Sequence, residues 1–480
     1  MKIQIGTEYQ RLSELARMCG GELVGADGDI RAVCTDSREA GADTLFIALR
    51  GERTDGHAHI PDALARGCTA VLCEERPEVS SALSLIVVKN ALEALAAMGA
   101  AYLGGFSLVR VAVTGSVGKT TTKEILHSVL SQRFKTYKTE ANYNSLIGMP
   151  LSALGVSKAD RAAVFEMGMS ARGEISTMSR VARPDVAMIT CIGTSHMEYL
   201  GSRENIARAK LEILDGLREG GLLILDGDEP LLRTLPEGNY RVLRVCMRDG
   251  GDVRADNISC APELDRMVFD VLLPDGSAWE GMEVPGVGEA VVKDAMYAIT
   301  AAWSLGLTAQ EVRRGLGFYR TVGPRLRQIV LGGVTVLEDC YNAAPESTRA
   351  ALGALATLAK GRGGRAIAVL GDMRELGRES VARHREIGAL AQTRGVCRLM
   401  TLGEMGAEIA AGALAAGMPA EDIRVIRATG EDDMEQAARE LSAVLRENDV
   451  VLIKASRALA AERVTRALSR ILTPHAPETP

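Results

Sequence analysis

The sequence predicts a three-domain α/β protein. The chain has 480 residues, and a prior of about 150 residues per domain allows two to four domains. Short apolar runs alternate with helical patterns in three successive stretches, and the middle stretch carries a Gly-rich turn directly after a β-rich run. We place the domains at residues 1–106, 107–322 and 323–480.

The first stretch predicts a small α/β domain. Apolar runs at 44–49 and 70–73 have strand character, and residues 58–66 between them show helical spacing.

The second stretch predicts a parallel sheet with crossover helices. The β-rich run SLVRVAVTG leads into KTTTKEILHSVLSQ, in which Ile125, Leu126, Val129 and Leu130 share one helical face. The later strand-like runs are AAVFEMG, DVAMITCIG and GLLILDGDEP. Residues 255–284 then show a hairpin-like pattern with the turn PDG, and KDAMYAITAAWSLGL predicts a helix.

The third stretch begins near TVGPRLRQIV and predicts a second, Rossmann-like α/β sheet. Its strand-like runs are VTVLEDCYN, RAIAVLGDMREL, CRLMTLGE and NDVVLIKAS. The tail TPHAPETP is rich in proline, which predicts disorder.

Composition limits the classes of function. The formal net charge of −6 argues against a general nucleic-acid binder, because such proteins need clustered Lys and Arg. The nine cysteines form no C-x-x-C pair, as is typical of buried thiols in a reducing compartment. We find no signal-peptide core and no apolar run of about 18 residues, so we expect a cytoplasmic protein without a membrane span.

The segment VTGSVGKTTT predicts a phosphate-binding loop, although Val113 stands where the usual P-loop has its first Gly. Gly115 and Gly118 allow the backbone to turn its N–H groups toward phosphate oxygens. Lys119 would reach the β- and γ-phosphates of ATP or GTP, and the Thr120 hydroxyl would bind Mg²⁺. A Gly-rich turn with an incidental lysine is the alternative.

Other candidate residues follow later strands. Glu166 ends an apolar strand, where a carboxylate suits Mg²⁺, although a solvated strand-end Glu is the alternative. His196 follows a strand at 185–192, and Lys210 lies in an amphipathic helix. A lysine ammonium repels Mg²⁺, whereas a carbamate made from its amine and CO₂ would be an oxygen ligand. Spacing alone does not distinguish a carbamate from an ordinary surface lysine.

Several segments together resemble the Mur ligases, the ATP-dependent amide ligases of bacterial peptidoglycan synthesis. In chain order they are TGSVGKTTT, EANYNSLIGMPL, EMGMSARGEI, IGTSHMEYLGSRENIARAKLEI, EDCYNAAPES, LGDMRELG and VLIKASRALAAERV. The family's loop is spelled T-G-x-x-G-K-T, which accounts for the missing early Gly. The resemblance extends from TDSR to VLIKAS, essentially the whole chain.

Within the family, NYNSLIGMPL, YNAAPES and LGDMRELG are most similar to the ligases that add D-alanyl-D-alanine to UDP-N-acetylmuramoyl-tripeptide. The resemblance implies that ATP, this tripeptide and the dipeptide yield UDP-N-acetylmuramoyl-pentapeptide, ADP and phosphate. An acyl phosphate would form first, and the dipeptide amine would then attack it. The small-molecule substrates imply no nucleic-acid partner, and we expect a monomer.

The resemblance also implies roles for individual residues. Lys119, Glu166, His196 and Lys210 would be catalytic, with Thr120 and Glu166 at a first Mg²⁺ ion and His196 and a carbamylated Lys210 at a second. The nucleotide would contact Gly115, Ser116, Val117, Gly118, Lys119, Thr120 and Thr121 of the loop, with Arg325 and Asp339 from the third domain. The other substrates would contact Asp36, Ser37, Arg38, residues 50–57, Asn142, Asn144, Ser145, Asn342, Lys454 and Ser456.

Some positions depart from the family pattern. Ala344 replaces an Asn in YNAAP, and Ala455 replaces a Gly beside Lys454. Ala290 and Val291 stand where relatives carry a His-Asn pair near the adenine, and Asp294 replaces a later Asn. We therefore expect different adenine contacts in this chain.

Two other hypotheses are compatible with the loop. One is a related ligase with another amine acceptor, such as a polyglutamate-adding or cyanophycin-type enzyme, which would not need a UDP-sugar domain. The other is a non-catalytic nucleotide-binding regulator. The presence of Lys119, Glu166, His196 and Lys210 together argues against the regulator.

Overall fold

The computed structural model describes residues 1–51, 54–78, 83–247, 250–261, 265–427 and 430–473. Most of the Pro-rich tail and the middle of the 50–57 segment lie outside these residues. The large sheets each take their strands from one continuous stretch of chain, which confirms the predicted three-domain α/β fold.

The first domain is a mixed sheet with helices. Its strands are β1 (Lys2–Gln4), β2 (Gln10–Arg11), β3 (Glu22–Val24), β4 (Asp29–Ile30), β5 (Ala32–Cys34), β6 (Thr44–Ile47), β7 (Ala70–Cys73) and β8 (Ser84–Val87), and its helices are α1 (Leu12–Cys19), α2 (Ile60–Ala65) and α3 (Ala91–Gly104). The strand order is β1-β5-β6-β7-β8-β3, with antiparallel edge strands β1 and β3, and β2 pairs with β4.

The central domain contains the largest sheet. Its strands are β9 (Val109–Thr114), β10 (Thr136–Lys138), β11 (Ala162–Glu166), β12 (Val186–Ile189), β13 (Leu222–Asp226), β14 (Arg241–Cys246), β15 (Val253–Ala261), β16 (Arg266–Leu272) and β17 (Ala278–Pro285). Its helices are α4 (Lys119–Leu130), α5 (Gly148–Ala153), α6 (Glu174–Ala182), α7 (Met197–Leu200), α8 (Arg203–Leu211), α9 (Glu289–Ser304) and α10 (Ala309–Phe318).

The order of the central sheet is β10-β11-β9-β12-β13-β14-β15-β16-β17. Every neighbouring pair from β10 to β15 in this order is parallel. The pairs β15–β16 and β16–β17 are antiparallel and form the predicted hairpin-like segments. Both faces of β9 are covered, since Ala112 belongs to one apolar core while Val111 and Val113 belong to another. Burial on both faces explains why this strand is a nearly continuous apolar run.

The third domain is a parallel sheet with one antiparallel edge strand. Its strands are β18 (Arg327–Leu331), β19 (Val334–Asp339), β20 (Ala366–Gly371), β21 (Val396–Leu402), β22 (Ile423–Ile426) and β23 (Val450–Lys454), and its helices are α11 (Pro345–Arg362), α12 (Ser380–Thr393), α13 (Gly406–Ala415), α14 (Glu431–Ser442) and α15 (Glu462–Leu472). The strand order is β18-β19-β23-β20-β21-β22, with β18 antiparallel to β19.

Element boundaries differ from the predictions by a few residues. The strand predicted at 185–192 is only β12, and the helix predicted from Lys293 begins four residues earlier, at Glu289. Helix α9 ends at Ser304 because Gly306, with a φ of 81°, lets the chain turn away. Lys210 lies near the end of α8, and a 3₁₀ turn, Glu212–Asp215, follows.

The nine cysteines are free thiols, each buried or half-buried. Among the described residues, no helix has the length and apolar character needed to cross a membrane.

Candidate active site

The phosphate loop connects β9 to α4 through glycines that no other residue type could replace. Gly115 and Gly118 have φ angles of 152° and 88°. A Cβ atom on Gly115 would lie 1.9 Å from Oγ1 of Thr190, and one on Gly118 would lie 2.4 Å from Oδ1 of Asp294. The loop therefore needs glycine both for its backbone conformation and for its close packing.

The ammonium of Lys119 lies against its own loop. Its Nζ donates to the carbonyl of Gly115 at 2.7 Å and approaches that of Ser116 at 3.4 Å. Burial lowers the pKa of this amine, and the nearby Glu166 opposes the shift. Since Lys119 also begins α4, its charge and the positive end of the helix face the same cavity.

Glu166 connects three segments at the carboxyl end of β11. Its Oε1 accepts hydrogen bonds from Thr120 Oγ1 at 3.1 Å and from Asn144 Nδ2 at 2.8 Å. The residue is only 2% exposed, and its Oε2 has no hydrogen-bond partner among the described residues. A buried carboxylate oxygen that no described residue hydrogen-bonds, beside a threonine hydroxyl, fits a Mg²⁺ site made of hard oxygen ligands.

Lys123 lies behind Glu166 and is fully buried. Its Nζ donates to the carbonyl of Thr139 at 2.9 Å and lies 3.3 Å from Glu124 and 3.4 Å from Oε2 of Glu166. Lys138 forms an ion pair with the other carboxylate oxygen of Glu124. Two cations and two carboxylates thus balance in this cluster, as a buried charged group requires.

His196 is held at a contact between the central and third domains. Its φ of 65° is left-handed, and its Nδ1 lies 2.7 Å from Oε2 of Glu375. The two atoms are this close without the angle that a hydrogen bond requires. The contact with His196 lowers the pKa of Glu375.

Lys210 is a buried lysine near the end of α8. It is 2% exposed, and its Nζ forms no hydrogen bond or ion pair with any described residue. Burial, reinforced by the charge of Lys119, places its pKa well below the ordinary value. A neutral amine is the form of lysine that reacts with CO₂, so this environment suits carbamylation.

The third domain reaches the phosphate loop through Arg325. Its Nη2 donates to Thr120 Oγ1 at 3.3 Å, and its guanidinium stacks 3.7 Å from the centre of the Tyr341 ring. Stacking of this kind orients a guanidinium and stabilises its charge.

A buried ion pair lies where β19 and β23 end. Lys454 Nζ donates to Asp339 Oδ2 at 2.6 Å and to the carbonyl of Asn342 at 3.0 Å. The register pairs Asp339 with Lys454 across the two strands. Ser456 is 2% exposed, and its Oγ has no hydrogen-bond partner among the described residues.

One cavity of about 760 Å³ brings most predicted site residues together. Those that line it are Ser116, Val117, Gly118, Lys119, Thr120, Thr121, Asn144, Ser145, Glu166, His196, Lys210, Arg325, Asp339, Asn342 and Lys454. Arg50 and Gly51 of the first domain also line it, so all three domains contribute.

Some predicted residues lie outside this lining, namely Gly115, Asn142, Ser456, Asp36, Ser37 and Arg38. Asp36 caps a 3₁₀ turn by accepting from the backbone N–H of Arg38, and it also pairs with that guanidinium at 2.6 Å. This hydrogen bonding holds the pKa of Asp36 well below its usual range. Its substrate role stays a prediction.

Sequence reasoning missed some residues of the site. Glu346 at the start of α11 accepts from Thr194 Oγ1 at 3.1 Å, which joins the third domain to the central one. Tyr341 and Lys123 were also missed, although Lys123 follows the loop by one helical turn. That spacing in KTTTKE would have been a usable signal for a residue on the same face as Lys119.

The three departing positions that the family pattern associates with the adenine lie on one wall of the cavity. Ala290, Val291 and Asp294 line it together with Val287 and Tyr319. The wall is apolar except for Asp294 and the tyrosine hydroxyl. That the nucleotide contacts differ here stays a prediction.

Comparison with known protein families matches most of the chain. Residues 29–124 match the Mur ligase family catalytic domain, 113–302 the Mur ligase middle domain, and 325–457 the Mur ligase glutamate ligase domain.

Individual relatives agree with the domain matches. A UDP-N-acetylmuramoyl-tripeptide--D-alanyl-D-alanine ligase from Bacillus subtilis is 38% identical over 412 residues, which cover 84% of this chain and 87% of that protein. A crystal structure of MurF from Acinetobacter baumannii superposes with a TM-score of 0.87 at 28% identity, covering 97% of this chain and all of the other. MurF from Thermotoga maritima, solved with ADP, gives a TM-score of 0.81 at 30% identity over 92% of this chain and 98% of the other. The chain belongs to the Mur ligase family.

Proposed function

We propose that this enzyme joins D-alanyl-D-alanine to UDP-N-acetylmuramoyl-tripeptide at the expense of ATP. The products are the UDP-pentapeptide precursor of peptidoglycan, ADP and phosphate. The observation that carries the proposal is the convergence in one cavity of the phosphate loop, Glu166, Lys210 and the third-domain pair Asp339–Lys454. The names of the relatives support this choice of substrates.

The proposed reaction begins when the tripeptide carboxylate attacks the γ-phosphate. Lys119 and Arg325 offset negative charge on the transferred phosphoryl group, and the backbone N–H groups at the start of α4 orient it. The dipeptide amine then attacks the carbonyl of the acyl phosphate, and phosphate leaves. Catalysis of this kind depends on positioning, which a cavity lined by three domains supplies.

We assign the metal-binding role to Thr120 and Glu166 for one ion and to His196 and carbamylated Lys210 for a second. Bound Mg²⁺ would neutralise charge on the phosphates during transfer. Thr120 and Asn144 hold Oε1 of Glu166, which leaves Oε2 without a hydrogen-bond partner. The buried amine of Lys210, which has no partner among the described residues, supports carbamylation, since its surroundings favour the neutral form and metal binding would balance the negative charge of the carbamate.

The other substrates are assigned by domain. We place the UDP part on Asp36, Ser37, Arg38 and the 50–57 segment of the first domain, and the sugar-peptide part beside Asn142, Asn144 and Ser145. The dipeptide belongs to Asn342, Lys454 and Ser456 of the third domain. The domain boundaries at 106 and 322 follow this division. We propose a cytoplasmic monomer.

Phosphate release from ATP tests the proposal. We expect release only when UDP-N-acetylmuramoyl-tripeptide and D-alanyl-D-alanine are both present, and L-alanyl-L-alanine serves as the matched control amine. K119M, which removes the loop ammonium, is the catalytic control. Turnover that needs the tripeptide but ignores D-alanyl-D-alanine would assign another amine acceptor. No turnover with intact ADP binding would favour the regulator hypothesis.

A further inference from the structure

Asp294 on α9 opens into the cavity directly beside the phosphate loop. Its Oδ1 accepts a hydrogen bond from Thr122 Oγ1 at 3.2 Å and packs against Gly118, where an added Cβ would meet it at 2.4 Å. Its Oδ2 has no hydrogen-bond partner among the described residues. One carboxyl oxygen is therefore anchored to the helix of the loop, and the other remains free for a ligand.

Among the described residues, no cation forms an ion pair with this carboxyl. Lys293, its neighbour on α9, directs its Nζ to Asp226 at 2.6 Å and to Asp228 at 3.4 Å. The other titratable groups near Asp294 are the hydroxyls of Tyr297 and Tyr319. Lys119 of the phosphate loop lines the same cavity. The remaining wall, Val287, Ala290 and Val291, is apolar.

These surroundings favour a neutral carboxylic acid. Burial raises the pKa of Asp294 to about 8, while the hydrogen bond from Thr122 and the charge of Lys293 oppose the shift with smaller effect. An ionised carboxylate here would also lie beside the phosphates that we propose the adjacent loop to bind, and like charges at short range repel. A protonated carboxyl instead offers an O–H donor.

We propose that Asp294 binds the nucleotide as a neutral carboxylic acid, with Oδ2 donating its proton to an acceptor on the bound nucleotide. The residue is thus a nucleotide-binding residue of the reaction, and its ionisation weakens binding. This inference rests on the proposed use of ATP in this cavity. By linkage, a nucleotide that prefers the protonated form draws a proton into the site when it binds above neutral pH.

Titration calorimetry of ADP with the full chain, between pH 7 and pH 9.5 in EDTA, tests the proposal. For the wild type we expect affinity to fall by about tenfold more across this range than for D294N, whose amide stays neutral and still donates. The pKa of Lys119 is lowered, so loss of its proton at high pH also weakens ADP binding. This effect is present in both the wild type and D294N and does not distinguish them. D275N, a change in an exposed turn, should reproduce the wild-type profile.

Proton uptake gives a second readout that a merely structural role would not change. At pH 8.5, in buffers of different ionisation enthalpy, ADP binding should take up clearly more protons in the wild type than in D294N. D294L, which lacks a donor, should bind ADP about tenfold more weakly than D294N at pH 7. Thermal unfolding of each variant checks that it is folded.

Identical pH profiles and proton uptake for the wild type and D294N would overturn the proposal. Equal ADP affinity of D294N and D294L at pH 7 would also overturn it, because the donor would then contribute nothing. A wild-type protein that fails to bind ADP at any pH would instead contradict the proposed use of ATP, so the two failures are distinguishable.

Discussion

The hydroxyl of Thr120 donates a hydrogen bond to Oε1 of Glu166 over 3.1 Å. This contact joins the start of α4 to the end of β11, strands β9 and β11 being neighbours in the sheet. The phosphate loop and the acidic strand end are thereby fixed as one unit before any ligand binds. Preorganisation of this kind lets a site stabilise charge without rearranging during the reaction.

Replacing the acidic residue should impair the metal-dependent step. We expect E166Q to lower kcat by about a hundredfold, because the amide keeps the shape of the side chain but loses its charge. Steady-state phosphate release across a Mg²⁺ titration measures the effect. E140Q, a change at an exposed glutamate, is the matched control and should keep wild-type rates. Wild-type turnover by E166Q would remove Glu166 from the proposed metal site.

Removing the loop ammonium should have a comparable cost. K119M should lower kcat by about a hundredfold or more, since Lys119 lines the cavity where we propose that the phosphates bind, and a methionine supplies no positive charge. K158M, at an exposed lysine, is the control for the loss of one positive charge. The same phosphate assay decides the outcome. If K119M and K158M retain equal activity, the catalytic assignment of Lys119 is wrong.

The buried amine of Lys210 should make the enzyme sensitive to CO₂. In ¹³C-bicarbonate, a carbamate resonance should be present in the wild type and absent in K210M, and K210M should be inactive. Acidification should remove the carbamate, because protonated lysine does not react with CO₂. A wild-type spectrum free of any carbamate signal, together with full activity in CO₂-depleted buffer, would contradict the assignment.

The same residue should limit stability. Its pKa is lower in the folded than in the unfolded protein, so as pH falls the unfolded chain binds this proton first and stability declines. When Lys210 is not carbamylated, K210M should therefore raise the thermal unfolding midpoint by a few degrees at neutral pH. Scanning calorimetry in CO₂-depleted buffer measures this shift. A midpoint that falls instead would show that Lys210 has a stabilising partner in solution.

Removing one charge of the Asp339–Lys454 pair should lower the free energy of unfolding. K454M leaves a buried carboxylate without its cation, which typically destabilises a protein by about 3–5 kcal/mol. D339N/K454M removes both charges and should recover most of that loss. Urea unfolding followed in the third domain provides the comparison. Equal stability of the single and double variants would mean that the two charges are not coupled.

The sequence predicted best those site residues whose positions are set by neighbours in the chain. The phosphate loop follows from glycine spacing between a strand and a helix, and Glu166 from its place at the end of a buried strand. Both lie in the cavity as expected. Local order constrains these positions because consecutive residues build the loop, and parallel strands end at one edge of the sheet.

Contacts between distant segments were not predictable in the same way. The stacking of Arg325 on Tyr341 and the contact of Thr194 with Glu346 depend on how the third domain meets the central one. Lys210 has no partner in the part of the chain that the structure describes, and this depends on the packing of several elements at once. Periodicity describes one element at a time, so such relationships emerge only in three dimensions.

The most direct test of the central claim is mass spectrometry of the product formed from ATP, UDP-N-acetylmuramoyl-tripeptide and D-alanyl-D-alanine. We predict a UDP-pentapeptide produced in equal amount to the phosphate released, and none when the dipeptide is omitted or K119M is used. Phosphate release without any UDP-pentapeptide would contradict the proposed function, because ATP cleavage would then not be coupled to formation of the amide bond.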